Sequence, residues 1–317
     1  MKALVTGGSG FIGSTLVDLL IEHGNEVVVI DNESADCNEQ FYYNEKATYH
    51  KLDIGDYAAT RNLYDGIDVV FHLAAESRIQ PCIEDPVRAV RTNTLGTGVV
   101  LQCAREAGVK RVIYSSTSAC YGLKNNPPMV ETMPLDCLNP YAFTKIAGEE
   151  LCKMYSMMFG LETIIFRYFN VYGERSPIRG QYAPVIGVFM RQKDAGELIT
   201  VVGDGEQRRD FVHVQDVAMA NLLAALFTAP QYVVSNDIET TGEYRIYNAW
   251  KWGEIINIGS GENHSINEIA EMVGGEKTHI PPREGEARHT LANIAKAKKL
   301  LGWTPKVSLE DWIAEHK

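Results

Sequence analysis

No apolar run in the 317-residue chain approaches the length of a membrane span, and the N-terminal MKALVTGGSG is too short in apolar residues for a secretory core. A protein without a membrane partner is expected. Cations are in deficit: 30 Lys+Arg stand against 41 Asp+Glu, a formal net charge of -11. That balance disfavours a nucleic-acid backbone, an RNA-binding role or an anionic membrane. Any anionic ligand must be met by locally placed Arg and Lys. The six cysteines (Cys37, Cys82, Cys103, Cys120, Cys137, Cys152) form no close C-x-x-C pair and have no His at zinc-ligand spacing. They read as reduced thiols in a cytoplasm. No H-E-x-x-H, paired His or acidic cluster suggests a metal. Solenoid-length repeats and low-complexity tracts are also missing.

With 45% hydrophobic residues, the chain can bury one large core, or a main domain and a smaller partner. Short apolar runs, ALVT, EVVVID, YHKLDI, DVVFHLAA and RVIYSS, alternate with longer segments able to form crossover helices. This is the pattern of a parallel sheet covered on both faces. The spacing predicts a first helix from about Phe11 to His23, stopped by Gly24. The expected fold class is therefore α/β, a doubly wound parallel sheet with a smaller C-terminal α/β substrate domain. The boundary is placed near Tyr168, giving domains 1–168 and 169–317, with the part near 211–229 a candidate to return to the first. Gln231 to Trp252, polar and aromatic without periodicity, reads as a surface excursion.

Gly7, Gly10 and Gly13 stand three residues apart in the first strand-to-helix turn. Glycines there let the backbone approach a pyrophosphate seated on the helix N-terminus. The next strand ends in Asp31, the position expected to hold the ribose hydroxyls of NAD, although a plain turn residue is the bland reading. No Arg or Lys lies between Asp31 and Gln40 to pair a 2′-phosphate, so NAD is preferred over NADP. Tyr141 and Lys145 are four apart, on one face of a helix beginning after Asn139-Pro140. A phenol with a reference pKa of about 10 needs roughly 4 kcal/mol of stabilisation to act as a base near neutrality. A nearby Lys and a positive nicotinamide ring can supply it. His72 and His213 sit in strand-like apolar runs and read as structural.

Beyond these motifs stand LDI at 52–54, HLAA at 72–75, SSTSACYG at 115–122, RYFNVYG at 167–173, RRDFVHV at 208–214 and PPREGEARHTLANIAKAKKLLGW at 281–303. Together they resemble the extended short-chain dehydrogenase/reductase family, and within it the nucleotide-sugar epimerases, over almost the whole chain. The resemblance implies a Rossmann-type NAD domain followed by a nucleotide-sugar-binding domain. It places Gly7, Gly10, Phe11, Ile12, Gly13, Asp31, Asn32, Asp53, Ile54, Leu73, Ala74, Ala75, Asn93, Ser115, Lys145 and Tyr168 around NAD. Asp53, Asn93 and Ser115 also have ordinary readings as turn, cap or strand-end residues. Tyr141 is implied as base, Lys145 as holding the nicotinamide ribose and Thr117 as bonding the reacting sugar oxygen.

For the substrate, the resemblance assigns a diphosphate clamp to Arg209 and Arg283, a phosphate or sugar contact to Asn170 and the nucleobase slot to Val185. Dehydrating relatives carry Asp-Glu directly after the threonine, and decarboxylating ones a Glu two places on. Ser118 and Ala119 stand here, so hydride removal and return remain. The resulting expectation is NAD-dependent 4-epimerisation of a UDP-hexose. Uronic-sugar epimerase, reductase, decarboxylase or dehydratase activity, and a non-catalytic NAD-binding regulator, stay as alternatives. Cys120 lies one step beyond the position where a relative uses a Cys, and should point elsewhere. Thr290 matches a place where a small residue accompanies N-acetylated substrates, which adds UDP-N-acetylglucosamine and UDP-N-acetylgalactosamine. The resemblance also implies a homodimer in which the helix carrying YAFTK and the one at roughly Pro86 to Ala107 pack against their copies as a four-helix bundle; after Tyr141 the apolar residues cover more than one stripe, for which core burial is the bland alternative.

Overall fold

The computed structural model describes all residues except 36–37, 39, 179–183, 230–231, 235–244, 248–251 and 283–286; for 232–234 and 245–247 it describes the backbone alone. Most of the expected surface excursion, 231–252, therefore lies outside the described residues, as does Arg283.

Seven parallel strands form the central sheet: β1 (Lys2–Thr6), β2 (Glu26–Asp31), β3 (Thr48–Lys51), β4 (Val69–His72), β5 (Arg111–Thr117), β6 (Glu162–Tyr168) and β7 (Glu254–Ile258). Their order is β7-β6-β5-β4-β1-β2-β3, a Rossmann-type arrangement. Strand periodicity explains why the runs are apolar almost throughout. Val5 and Val29 point into one core with Leu16, Val17 and Leu20, while Leu4, Val28 and Ile30 point into the other with Val100, Leu101 and Ala104. Alternate side chains face opposite layers, so both must be hydrophobic.

The first helix, α1, spans Phe11–Glu22, and the chain leaves it through Gly24 at φ +74°. The segment from Pro86 to Glu106 is helical but uneven: α-helical at Pro86–Ala89, π-helical at Val90–Gly96, then α2 at Thr97–Glu106. The next long helix, α3, covers Pro140–Phe159. Asn139 caps it by accepting the Ala142 N–H at 2.9 Å, Pro140 sits in its first turn, and Gly160 ends it at φ +71°. These signals fix the start of the helix one residue before Tyr141.

A second layer is built on α4 (Val185–Asp194), Ile266–Val273 and Leu309–His316, packed around Ile186, Phe189, Ile199, Val201, Ile269 and Ile313. Short ladders join Ile199–Val202 to Lys277–Ile280, and Arg208–Arg209 to His264–Ser265. The chain beyond Tyr168 also returns to the first layer. Helix Val214–Leu226 buries Val217, Ala218 and Leu222 in the same core as Leu16, Val17 and Leu20 of α1, and β7 closes the sheet beside β6. An open sheet needs both faces covered, and this returning helix supplies cover that residues 1–168 do not.

Candidate active site

Two adjoining cavities open at the carboxyl ends of the strands, where open α/β sheets bind ligands. The first, 470 Å³, runs along the glycine turn; the second, 960 Å³, lies between the sheet and the second layer. Phe11, Ser116, Tyr141, Tyr168 and Asn170 line both.

The glycine turn is shaped by contacts that a side chain would fill. Gly7 has φ +74°, and a Cβ there would lie 2.8 Å from the Ala74 nitrogen; a Cβ on Gly13 would lie 2.0 Å from the Gly7 carbonyl oxygen. Gly10 caps α1 without a side-chain hydrogen bond, so the first-turn N–H groups face the cavity uncapped. Asp31, at the end of β2, accepts the N–H of Ser9 at 3.0 Å and of Glu33 at 2.8 Å. Burial raises its carboxyl from the usual value, and those N–H bonds partly offset it. A backbone cradle, a helix N-terminus and a carboxylate one strand away fit a dinucleotide with free ribose hydroxyls.

Of the residues expected around that dinucleotide, Gly7, Gly10, Phe11, Ile12, Gly13, Asp31, Asn32, Ile54, Leu73, Ala74, Ala75, Ser115, Lys145 and Tyr168 line the first cavity. Asp53 and Asn93 do not. The Asp53 carboxylate accepts the Gly55 N–H at 2.7 Å and the Asn32 amide at 3.3 Å, so it reaches the cavity through Asn32. Asn93 is buried in the π-helical turn, donating to the Glu76 carbonyl at 3.0 Å and to Thr144 Oγ1 at 3.0 Å. It braces the loop after β4 against α3, and Thr92 lines the cavity beside it.

Tyr141 and Lys145 lie one turn apart on α3, Lys145 buried and Tyr141 half-buried at the cavity wall. Burial pushes the Tyr141 phenol up to about 12, offset in part by a hydrogen bond with Thr117 at the end of β5. Burial pulls the Lys145 ammonium down to about 8. It remains charged at neutral pH, 4.4 Å from the ring centroid of Tyr114, whose hydroxyl donates to the Lys145 carbonyl at 3.1 Å. His72 is held between Thr6 Oγ1 at 2.7 Å and Thr97 Oγ1 at 2.9 Å, and burial pushes it down to about 3, so it stays neutral. His213 packs edge-on against Tyr172. Tyr168 is braced by Asn221, which donates to its hydroxyl at 2.7 Å.

Thr117, Asn170, Val185, Arg209 and Thr290 line the second cavity with Tyr141. Ser118 and Ala119 line it too, so the two positions without a carboxylate face the space where a substrate would sit. Cys120 does not line it; it is fully buried beside Tyr121 and Met129. Ser116 was missed from sequence. It lines both cavities and donates to Glu149 at 2.5 Å, and its place between Ser115 and Thr117 was the available signal. Among the described residues, no three His, Cys, Asp or Glu gather as a metal site requires, and no helix is long and apolar enough to cross a membrane.

Residues 3–235 match the NAD dependent epimerase/dehydratase family. The chain belongs to that family. It is 33% identical to the UDP-glucose 4-epimerase of Mycolicibacterium smegmatis over 326 residues, covering 99% of this chain and 97% of that protein. It superposes on the crystal structure of UDP-glucose 4-epimerase with UDP-glucose from Thermotoga maritima with a TM-score of 0.86 and 33% identity, covering 99% of this chain and 96% of that one. It is also 32% identical to a UDP-N-acetyl-alpha-D-glucosaminuronate decarboxylase from Bacillus cytotoxicus, over 99% of this chain and 96% of that protein. Membership of the epimerase/dehydratase family thus agrees with the glycine turn and the Tyr141/Lys145 pair, while the relatives span more than one reaction on nucleotide sugars.

Proposed function

We propose that this protein catalyses the NAD-dependent 4-epimerisation of a UDP-hexose, accepting UDP-glucose and UDP-galactose together with UDP-N-acetylglucosamine and UDP-N-acetylgalactosamine. The observation that carries the reading is the meeting of Thr117, Tyr141 and Lys145 where the two cavities adjoin, with Ser118 and Ala119 in place of carboxylates.

The residues lining the first cavity would hold NAD, its pyrophosphate over the Gly7–Gly13 turn and its adenine ribose at Asp31. Bound there, NAD supplies a reversible two-electron acceptor for carbon 4 of the sugar. Tyr141 takes the proton from the 4-hydroxyl. Against the burial that raises the phenol, the Lys145 ammonium and the positive ring of bound NAD would favour the phenolate, and Thr117 would orient the reacting oxygen. Arg209 holds the diphosphate, with Arg283 its expected partner. The 4-keto sugar turns about that anchored end within the second cavity and presents its other face. As the hydride given up by carbon 4 comes back to that other face, Tyr141 returns the proton to the oxygen, and the configuration at carbon 4 is inverted. Neither Ser118 nor Ala119 can remove a further proton or assist loss of a carboxyl group.

A homodimer is part of the same reading. Val87, Val90 and Leu95 before β5, and Phe143, Met157 and Met158 on α3, are exposed large apolar side chains on the two segments that would pair as a four-helix bundle.

The test is incubation with a panel of UDP-sugars, reading products by NMR and the nucleotide extracted from the protein. Interconversion at carbon 4 with NAD in the extract supports the reading. A decarboxylated or dehydrated product, or no turnover of any UDP-sugar, overturns it.

A further inference from the structure

Asp31 lines the first cavity, and a second acid and a cation stand next to it just behind that wall. Lys51 is its register partner across the parallel strands β2 and β3, whose backbones lie about 4.8 Å apart. An unrestrained lysine there could swing its ammonium over Asp31 on a flexible four-carbon stem. Its ammonium is held by Glu33 instead, Nζ to Oε2 at 2.5 Å. The other carboxylate oxygen of Glu33 accepts the Tyr43 hydroxyl at 2.6 Å, which fixes the acid from the far side.

The backbone at Glu33 is left-handed, φ +56°, a conformation that a residue with a side chain adopts at a cost. That geometry lets its N–H donate to Asp31 Oδ1 at 2.8 Å while its side chain reaches Lys51. The lysine and tyrosine bonds hold the Glu33 carboxyl below its ordinary value, so it is an anion at neutral pH. Asp31 senses both neighbours, Glu33 raising and Lys51 lowering its carboxyl.

We propose that Glu33 is a second determinant of NAD over NADP: it sequesters Lys51, the ammonium beside Asp31 that a 2′-phosphate would otherwise recruit. Asp31 would bond two ribose hydroxyls and repel a phosphate in place of one. Glu33 adds a second negative charge and neutralises the nearby cation. The inference rests on the assignment of the first cavity to NAD.

The test uses purified wild type and the variants Asp31→Asn, Glu33→Gln, Asp31→Asn/Glu33→Gln, and that double with Lys51→Met added. Each is equilibrated with equal NAD and NADP, freed of unbound nucleotide, and extracted; the retained NADP:NAD ratio is read. Glutamine keeps an acceptor for Tyr43, and circular dichroism checks the fold. Wild type should retain NAD. The double variant should exceed Asp31→Asn in its NADP:NAD ratio by about fivefold, the gain should shrink in high salt, and Lys51→Met should abolish it. Equal ratios in Asp31→Asn and the double variant, or a gain that survives Lys51→Met, overturn the inference while leaving the NAD assignment standing. Retention of neither nucleotide by wild type removes the assignment, and the inference with it.

Discussion

Glu149 and Arg167 form a bidentate pair away from solvent, Nε to Oε1 at 2.9 Å and Nη2 to Oε2 at 2.7 Å. Glu149 stands one turn beyond Lys145 on α3, Arg167 is on β6, and Ser116 on β5 donates to the same carboxylate. The pair therefore ties the helix bearing Tyr141 to the strands beneath it. Removing one partner strands a buried charge, which costs about 3–5 kcal/mol, whereas removing both costs less. Glu149→Leu is expected to lower the unfolding free energy in urea by about 3 kcal/mol or more, and the double Glu149→Leu/Arg167→Met by less than the sum of the singles. Additive losses would mean that the two charges do not support each other.

Tyr141→Phe is expected to fold normally and keep its nucleotide, because the ring remains and only the hydroxyl is lost. Turnover should fall about a hundredfold or more, the usual value of a positioned acid/base. Steady-state assays beside nucleotide extraction check this. Near wild-type turnover would remove Tyr141 from the mechanism.

Burial of Lys145 has a signature in stability. The unfolded chain keeps this proton up to the ordinary lysine value of 10.5, the folded one only to about 8. Between these values the unfolded state binds more protons, so the group's contribution to stability rises with pH, by up to roughly 3 kcal/mol. Tyr141 acts oppositely: its phenol, raised to about 12, contributes stability that is lost above the ordinary value of 10. Between pH 8 and 10, unfolding free energy should rise more steeply in wild type than in Lys145→Met. Parallel slopes would contradict the buried charge.

Thr290 accepts the Asp210 N–H at 3.3 Å and lines the second cavity. A phenol in its place would fill space beside the sugar. Thr290→Tyr is expected to lose activity on the acetylated UDP-sugars and keep it on the plain hexoses, since overpacking penalises the larger ligand. Substrate-by-substrate kcat/KM decides it; equal loss of both classes would remove Thr290 as the gate.

Phe143 is 62% exposed on α3 and Val87 is 68% exposed across the segment before β5. In a four-helix-bundle dimer both would be covered, so Phe143→Glu and Val87→Glu should each shift the protein toward monomer. Light scattering at micromolar concentration reads the mass. A wild-type monomer there would count against the interface.

The glycine turn, the helix start at Asn139-Pro140 and the four-residue spacing of Tyr141 and Lys145 were legible because each is local. Backbone clearance, cap chemistry and helical pitch act over a few residues. Asn93 shows where that legibility stopped. The resemblance places it around NAD, but the π-helical turn at Val90–Gly96 turns its amide to Glu76 and Thr144. No periodicity in the sequence announces the extra residue in that turn.

By itself the sequence determined the parallel sheet and the identity of the chemical groups, because apolar runs covered on both faces and closely spaced motifs depend on nearby residues alone. Tertiary structure decided which distant groups meet. Lys51 is captured by Glu33 because β3 pairs in one register beside β2 and the chain turns left-handed at Glu33. β7 and the helix Val214–Leu226 return to the first layer because an unfinished sheet leaves an edge to pair and an apolar face to cover. Thr117, Ala119 and Thr290 share one cavity wall only after both layers have packed. Packing energy is summed over the whole chain, so no short window of sequence contains it.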